Sequence, residues 1–536
     1  MVNNIIVLSG NVGAGKSTLA VLLVERFNAT RIRTHQLLAA LGTDIPQDRR
    51  AFQEFGEELD RKTKGTWVRD GLQALLRDQQ DGSLVVIDSV RIVEQIRAIR
   101  SGYGRRVVHV HLTADPSELA KRYKVRKGTG LKELPSYAAV IQNKTEAQID
   151  ELGKIADVLI WTDRCGPEDV LVRVAGQLGI YGKENAREVD VLVGGAYGSE
   201  GKGQVAAYLS SEYDLLIRVG GPNAGHSVYE EPNPYVFHHL PSGSRCSNAR
   251  LMIGPGALLY VPELLQEISE CGIEHDRLSI DPKAMIISDA DRKAERRVRD
   301  SIGSTARGVG AATARRILDR GKTSVVMAGD VPALKPFVGD TYRVLEDAFR
   351  EQKRILLEGT QGTGLSIFHG EYPHVTSRDT TVSGCLAEAG ISPRRVRKVI
   401  MVCRTYPIRV QDPAKKGTTS GRMSLPIDWK TVAKRSGHKL KDLELNERTS
   451  TTNRERRVGE FDWVLLRKAA ALNAPTDVAL TFADYITKKN QKARRFDQLS
   501  EQTIRFVEEV ERVAAAPVSL IVTRFHSRSI IDRRAW

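Results

Sequence analysis

An α/β fold in two domains is predicted for this chain by three observations. Short apolar runs rich in Ile and Val alternate with amphipathic stretches along most of the sequence. The sequence also starts twice, because an apolar run enters a glycine-rich loop at residues 4–17 and again at 189–203. The stretch just before the second start, GQLGIYGKENAR at 176–187, is polar and Gly-rich, as linkers are. A length of 536 residues also exceeds one ordinary core. The expected domains are residues 1–180 and 188–536.

In the first domain, Asn4–Ser9, Ser83–Ile87 (ending at Asp88), Val107–Leu112 and Val158–Trp161 read as buried strands. Ser17–Phe27 reads as the first helix, and helical patterns separate the other strands. That alternation predicts a parallel sheet with helices on both faces. In the second domain the strand runs are Val189–Val193, Leu215–Val219, Ser324–Met327, Arg354–Leu357, Val399–Val402, Ala479–Phe482 and Ser519–Val522. No repeat of fixed period stands out.

Composition narrows the function classes. A net charge of +15 suits polyanionic partners: nucleotides, nucleic acid or an acidic membrane surface. Basic runs at Arg292–Arg299, Arg394–Lys398 and Lys488–Arg495 lack interleaved aromatic residues for base stacking, which argues against nucleic acid. The five cysteines form no CxxC pair, which argues against a zinc site or disulfide framework and fits a reducing cytoplasm. The first apolar run has no basic flank and leads into a loop, so it reads as a strand and not a signal peptide. No apolar stretch is long enough to span a membrane.

The first glycine loop is Gly10-Asn11-Val12-Gly13-Ala14-Gly15-Lys16-Ser17, a full match to GxxxxGK[ST], with Thr18 next to it. Its glycines let backbone N–H groups face phosphate oxygens, Lys16 adds a cation, and the Ser17 hydroxyl can ligate Mg²⁺. Asp88, at a strand end, is a candidate for the Mg²⁺ shell or a plain turn residue. Arg122 and Arg126 stand four apart on an expected helix, where they either clamp phosphates or form a solvated basic face. This layout resembles small nucleoside-monophosphate kinases. The resemblance is loose beyond the loop and does not fix the phosphate acceptor.

The second domain carries seven ordered motifs. They are GGAYGSEGKGQ (194–204), IRVGGPNAGHSV (217–228), HHLPSG (238–243), GSTARGVG (303–310), LEGTQGTGL (357–365), YPHVTSRDTT (372–381) and TSTTNRERR (449–457). In this order they resemble the adenylosuccinate synthetase family. The resemblance implies phosphorylation of O6 of a purine monophosphate by ATP or GTP, with Mg²⁺, then displacement of that phosphate by L-aspartate. It also implies a homodimer.

By the same resemblance, His226 is the acid that stabilises charge at O6. Lys202 and Gln361 serve the reaction centre, and Gly198, Glu200, Gly201 and Gly203 form the phosphate loop. Gly225 offers its carbonyl to Mg²⁺. Asn223, Ser304, Thr305 and Thr376 hold the monophosphate, and Asp484 reads the donor base. Thr451, Thr452, Arg454 and Arg456 hold aspartate through bidentate carboxylate pairs. Arg320, one residue out of register, takes the place of the arginine given across the dimer.

Two departures from the family bear on specificity. Ser199 stands where the family has an aspartate that acts as base for N1 and as Mg²⁺ ligand. A serine hydroxyl is a poor base at neutral pH. Three readings follow: an inactive nucleotide sensor, a base from elsewhere such as Glu200 or water acting on IMP with GTP, or a changed substrate. A small hydroxyl leaves room for a 2-amino group and accepts a hydrogen bond from it, which favours GMP or dGMP. The same replacement marks phage-type 2-aminoadenylosuccinate synthetases. The second departure is in the donor-base segments, Thr481-Phe482-Ala483-Asp484 and Val522-Thr523-Arg524-Phe525. The first keeps the aspartate and loses a lysine, so ATP or dATP becomes a candidate donor.

Overall fold

A computed structural model describes residues 4–41, 49–77, 84–125, 137, 148–181, 186–410, 420–448 and 454–534. The chain forms two compact units, Met1–Tyr181 and Gly182–Trp536. Both are α/β.

The first unit is built on five strands: β1 (Asn4–Gly10), β2 (Thr30–Arg33), β3 (Leu84–Asp88), β4 (Val107–Thr113) and β5 (Val158–Trp161). They are ordered β2-β3-β1-β4-β5 and all pair in parallel. Successive side chains of a strand point to opposite faces. Ile5 and Val7 therefore pack with Leu72 and Ile96 on one face, and Ile6 and Leu8 with Leu19, Leu23 and Val174 on the other. Burial on both faces explains why these strands read as unbroken apolar runs. Helix α1 (Lys16–Phe27) follows β1, entered through Gly15 at φ 95°, a conformation that glycine adopts without a Cβ clash. The short edge strand β2, TRIR, has too few apolar residues to announce itself.

The second unit holds a nine-stranded sheet. Its strands are β6 (Val189–Gly194), β7 (Leu215–Arg218), β8 (Arg250–Ile253), β9 (Leu278–Ile280), β10 (Ile355–Glu358), β11 (Val396–Arg404), β12 (Asp477–Thr481), β13 (Val518–Val522) and β14 (Ile530–Asp532). The order is β9-β8-β7-β10-β6-β11-β12-β13-β14. Only the edge pair β13–β14 is antiparallel. Val189, Val191 and Val193 of the central β6 face one core, and Leu192 faces the other. The chain reverses direction of winding around β6, so loops after β6, β7, β10, β11 and β12 meet at one crevice. Ligands of open α/β sheets bind at such a switch point.

One expected strand is absent. Ser324–Met327 forms turns and extended chain, with only a single bridge from Met327 to Met285. Val325 and Met327 instead cover a small cluster around Met285 and Val309, so the apolar run reflects packing over a surface and not a place in the sheet. No helix of the described residues is long and apolar enough to cross a membrane.

A buried polar group ties β1 to β4. The Ser9 Oγ lies 2.7 Å from Nε2 of His109 and 2.9 Å from Nδ1 of His111. Burial pushes both imidazoles down to about 4, with the His109–His111 repulsion and the nearby Lys16 charge adding to it. Both rings are thus neutral when folded at pH 7, whereas the unfolded chain takes up protons below about 6.5. The folded state is favoured above that pH and loses stability as pH falls from 6.5 toward 4. Opening free energies of the β4 amides, measured by hydrogen exchange, should fall across this window in the wild type. They should fall less in the His109→Gln/His111→Gln variant.

Candidate active site

The crevice of the second unit is organised by the loop after β6. Glu200, fully buried, turns its carboxylate back into the loop. Oε1 accepts the N–H groups of Ala196 at 3.1 Å and Gly198 at 2.7 Å, and Oε2 meets Lys202 Nζ at 2.5 Å. Both oxygens are committed, so Glu200 acts as an internal brace and offers no free carboxylate to a substrate. Lys202 and Gly203, also buried, open the helix Lys202–Leu209, whose start is set by Gly201 in a left-handed conformation. Such a terminus presents N–H groups to anions.

Ser199 sits at the crest of this loop at φ 58° with its side chain exposed. Its backbone is held from both sides. The Ser199 carbonyl accepts from Arg404 Nη1 at 3.1 Å, and the Glu200 carbonyl from Thr481 Oγ1 at 2.6 Å.

The loop after β10 packs directly under the first. Gly364 N–H donates to the Ala196 carbonyl at 2.8 Å, and Thr363 Oγ1 to the Gly194 carbonyl at 2.7 Å. Gln361, at φ 59°, accepts on Oε1 from Thr360 at 3.0 Å and Arg378 at 3.4 Å, while its buried Nε2 has no hydrogen-bond partner. Asn223 donates to Thr376 Oγ1 at 3.4 Å, and its buried Oδ1 also has no partner. Buried orphan groups of this kind mark where a ligand completes the hydrogen bonding.

Gly225 precedes His226 at the start of a short hairpin strand. His226 Nδ1 lies 2.5 Å from Glu358 Oε1, at the end of β10. Glu358 also accepts from the Ser242 N–H at 2.7 Å and from the Ser242 hydroxyl. Burial and the Arg218 charge push His226 down to about 4. Burial raises Glu358, but the His226 hydrogen bond and the His226 and Arg218 charges outweigh it and hold the carboxyl below its usual range. The ring at pH 7 is neutral with its Nδ1 proton on the carboxylate, a tautomer assigned from that partner, and Nε2 is left for a substrate.

The remaining predicted residues are spread along the crevice edge. Ser304 and Thr305 lie half-buried in the turn before the helix Val309–Leu318. Arg320 is exposed just beyond that helix, next to Ile317 and Leu318, which are 56% and 79% exposed. Arg454 is half-buried, and Arg456 Nη1 contacts Glu447 Oε2 at 3.1 Å. Thr451 and Thr452 lie outside the described residues. Asp484 gives Oδ2 to Gln491 Nε2 at 2.9 Å and His438 Nε2 at 3.4 Å, and its buried Oδ1 has no partner. Glu358, Arg378, Arg404 and Glu447 were given no role by sequence. The first two sit inside motifs, but the latter two lie in none.

In the first unit, Lys16 Nζ folds onto the carbonyls of Gly10 at 2.7 Å and Asn11 at 2.9 Å. Ser17 Oγ lies 3.2 Å from Asp88 Oδ2, which also pairs with Arg31; Thr18 is exposed. Gly10 and Gly13, like Gly15, adopt positive φ. Arg122 lies on the helix Pro116–Val125 and is held by Glu118 at 3.1 Å and by the Thr162 hydroxyl and carbonyl at 2.9 and 3.0 Å. Its guanidinium is a structural tie in this state, and a phosphate clamp requires those bonds to exchange. Arg126 lies outside the described residues.

Comparison with known proteins places this geometry. The adenylosuccinate synthetase profile matches residues 191–330 and 326–491, more than half of the chain. The chain belongs to the adenylosuccinate synthetase family. The adenylosuccinate synthetases of Pyrococcus horikoshii and Methanocaldococcus jannaschii are each 36% identical over 354 residues, covering 64% of this chain and 98% and 96% of theirs. The solved adenylosuccinate synthetase of Plasmodium falciparum shares the fold, with a TM-score of 0.56 at 21% identity over 65% of this chain and 100% of that one. The succinoaminodeoxyadenylate synthetase of cyanophage S-2L, solved with dGMP and with dATP as an energy donor, has a TM-score of 0.54 at 27% identity. That match covers 65% of this chain and 96% of that one. Residues 6–149 match an AAA domain profile.

The two braced loops give a direct test. A Cβ on Gly362 would lie 2.4 Å from Glu200 Oε1 and 2.5 Å from the Ala196 carbonyl. Gly362→Ala should therefore force the loops apart, destabilise the unit by about 1–3 kcal/mol, and abolish the thermal shift given by added purine nucleotide.

Proposed function

We propose that the second unit joins L-aspartate to C6 of a guanine monophosphate, GMP or dGMP, and that the first unit is a nucleotide kinase. One observation carries the substrate reading: the exposed crest of the phosphate loop presents the Ser199 hydroxyl, and the neighbouring Glu200 carboxylate is locked inside the loop. Hypoxanthine and guanine both carry a proton on N1, which at this exposed crest, with no ionised side chain, passes to solvent water as O6 is phosphorylated; the two bases differ only in the 2-amino group. A hydroxyl is a small acceptor for a 2-amino group. The 27% identity to a synthetase solved with dGMP supports the same choice.

The chemistry then falls to the residues that the motifs name. Asn223, Thr376, Ser304 and Thr305 hold the monophosphate, and Gln361 Nε2 meets the base. His226 Nε2 faces O6; the neutral ring must first take up a proton on Nε2 to donate there, and Glu358, on Nδ1, stabilises the imidazolium so formed. The N–H groups of Gly198, Gly201 and Gly203, with Lys202, cradle the transferred phosphate. Arg454 and Arg456, with Thr451 and Thr452, take the aspartate carboxylates.

The Gly225 carbonyl and Ser199 hydroxyl are hard oxygen donors that suit Mg²⁺, but both are neutral. The ion would therefore be held largely by the nucleotide phosphates, as Mg²⁺ commonly is. When bound it neutralises charge on the transferred phosphoryl group. Ser17 and Asp88 fit the same ion in the first unit.

Asp484 favours an adenine donor. With Oδ2 occupied by Gln491, one oxygen remains. A single acceptor matches the lone amino group of adenine, whereas guanine presents two adjacent donors. Arg320, flanked by exposed Ile317 and Leu318, is the residue a homodimer would bury and deliver to a partner.

Mass spectrometry of reactions with L-aspartate, Mg²⁺ and ATP or GTP tests this reading. A succinyl adduct should form from dGMP or GMP and not from IMP, faster with ATP than with GTP, and Ser199→Asp should shift product toward IMP. Adduct from IMP alone in the wild type would overturn it. Lys16→Ala should abolish phosphorylation of a nucleoside monophosphate by the full chain, with synthesis of the adduct unchanged.

A further inference from the structure

A buried chain of charges connects the amino-acid end of the crevice to the serine at its base-facing end. Arg456 Nη1 contacts Glu447 Oε2 at 3.1 Å. Glu447 Oε1 accepts from Arg404 Nη2 at 2.9 Å and from the Tyr485 hydroxyl at 2.8 Å. Arg404 Nη1 ends the chain on the Ser199 carbonyl at 3.1 Å. Glu447 and Arg404 are buried almost completely, and the Arg456 side chain is 14% exposed. The Arg404 guanidinium lies 4.0 Å from the Phe482 ring centroid, so Phe482 fixes its plane.

Two guanidiniums share one carboxylate here, leaving one positive charge in excess in a poorly solvated place. An arrangement of this kind is stable only while its partners stay together. A carboxylate arriving at Arg456 neutralises the excess and competes with Glu447 for that guanidinium. Glu447 must then lean more fully on Arg404, the group that holds the Ser199 backbone at φ 58°. Occupancy at one end is thereby felt at the other through three side chains.

We propose that Glu447 is a positioning residue that couples binding of the amino-acid carboxylate at Arg456 to the placement of Ser199, and hence to binding of the purine monophosphate. This rests on the assignment of Arg456 and Ser199 to those two substrates. Coupling of this sort is reciprocal, so each ligand tightens the other by the same factor.

The test uses the full chain without triphosphate, so that no reaction occurs. Calorimetric affinity for dGMP is measured with and without saturating L-aspartate. In the wild type, L-aspartate should tighten dGMP binding severalfold. Glu447→Gln keeps the shape but removes the charge, so the factor should fall to about one, with dGMP affinity alone nearly unchanged and the calorimetric Kd for L-aspartate raised about tenfold or more. A residue that only stabilises the fold would weaken both ligands alike and leave the factor intact.

If Glu447→Gln does not fold, Arg404→Lys serves: it keeps the charge but lacks the fork that bridges Ser199 and Glu447, and should lose the same coupling. A wild type that makes adduct, with a coupling factor unchanged in these variants, overturns the relay alone. A wild type that binds neither ligand and makes no adduct overturns the functional reading together with it.

Discussion

The second unit depends on a carboxylate buried inside its own loop. Glu200 gathers two loop N–H groups and the Lys202 ammonium around itself. Without it, the backbone from Gly194 to Lys202 would have buried donors and a buried cation with nothing to satisfy them. The loop after β10 then stacks on this brace through Thr363 and Gly364, and strand-end residues Arg404 and Thr481 hold it from the far side. The phosphate loop is therefore a rigid floor, fixed before any ligand arrives. Rigid support of this sort is what transition-state electrostatics needs, because the dipoles need not reorganise during reaction.

The same brace leaves the side chain at the crest outside the contacts that hold the loop. Ser199 projects from the crest, exposed, and only its backbone takes part in the floor. On the proposed substrate reading, substituting its side chain alters what meets the base and leaves Glu200, Lys202, Gln361 and His226 where they are. His226 is similarly insulated. Its acceptor Glu358 is tied down by Ser242 and neighboured by Arg218, so the ring's tautomer is set by β10 and not by the substrate.

Much of the fold was legible because the central strands of both sheets are parallel and buried on both faces. Such strands read as continuous apolar runs, and Val158–Trp161 or Ser519–Val522 lie where periodicity put them. Edge strands were not legible: β2 is too polar, and β9 and β14 have only three residues each; β8, paired on both sides, was missed as well. Ser324–Met327 misled because an apolar run over a small surface cluster looks like a strand. The site was legible where function is written in glycines and consecutive motifs. Arg404 and Glu447 were not, since each is a lone charged residue outside any motif. Their meaning comes from the fold, which brings Arg404, at the end of β11 beside β6, against Glu447, just past the helix Leu440–Asn446.

Asp484 shows where such a molecule keeps its freedom. One carboxylate oxygen is occupied by Gln491, which belongs to a short turn, Lys488–Lys492, outside the sheet. The turn touches neither the phosphate loop floor nor the His226–Glu358 pair through any hydrogen bond among the described residues. With Asp484 as the proposed reader of the donor base, the choice of energy currency is separable from the bond-making machinery. A lineage could retune it to whichever nucleoside triphosphate its host keeps plentiful, by changes in a peripheral turn that leave the chemistry at C6 undisturbed.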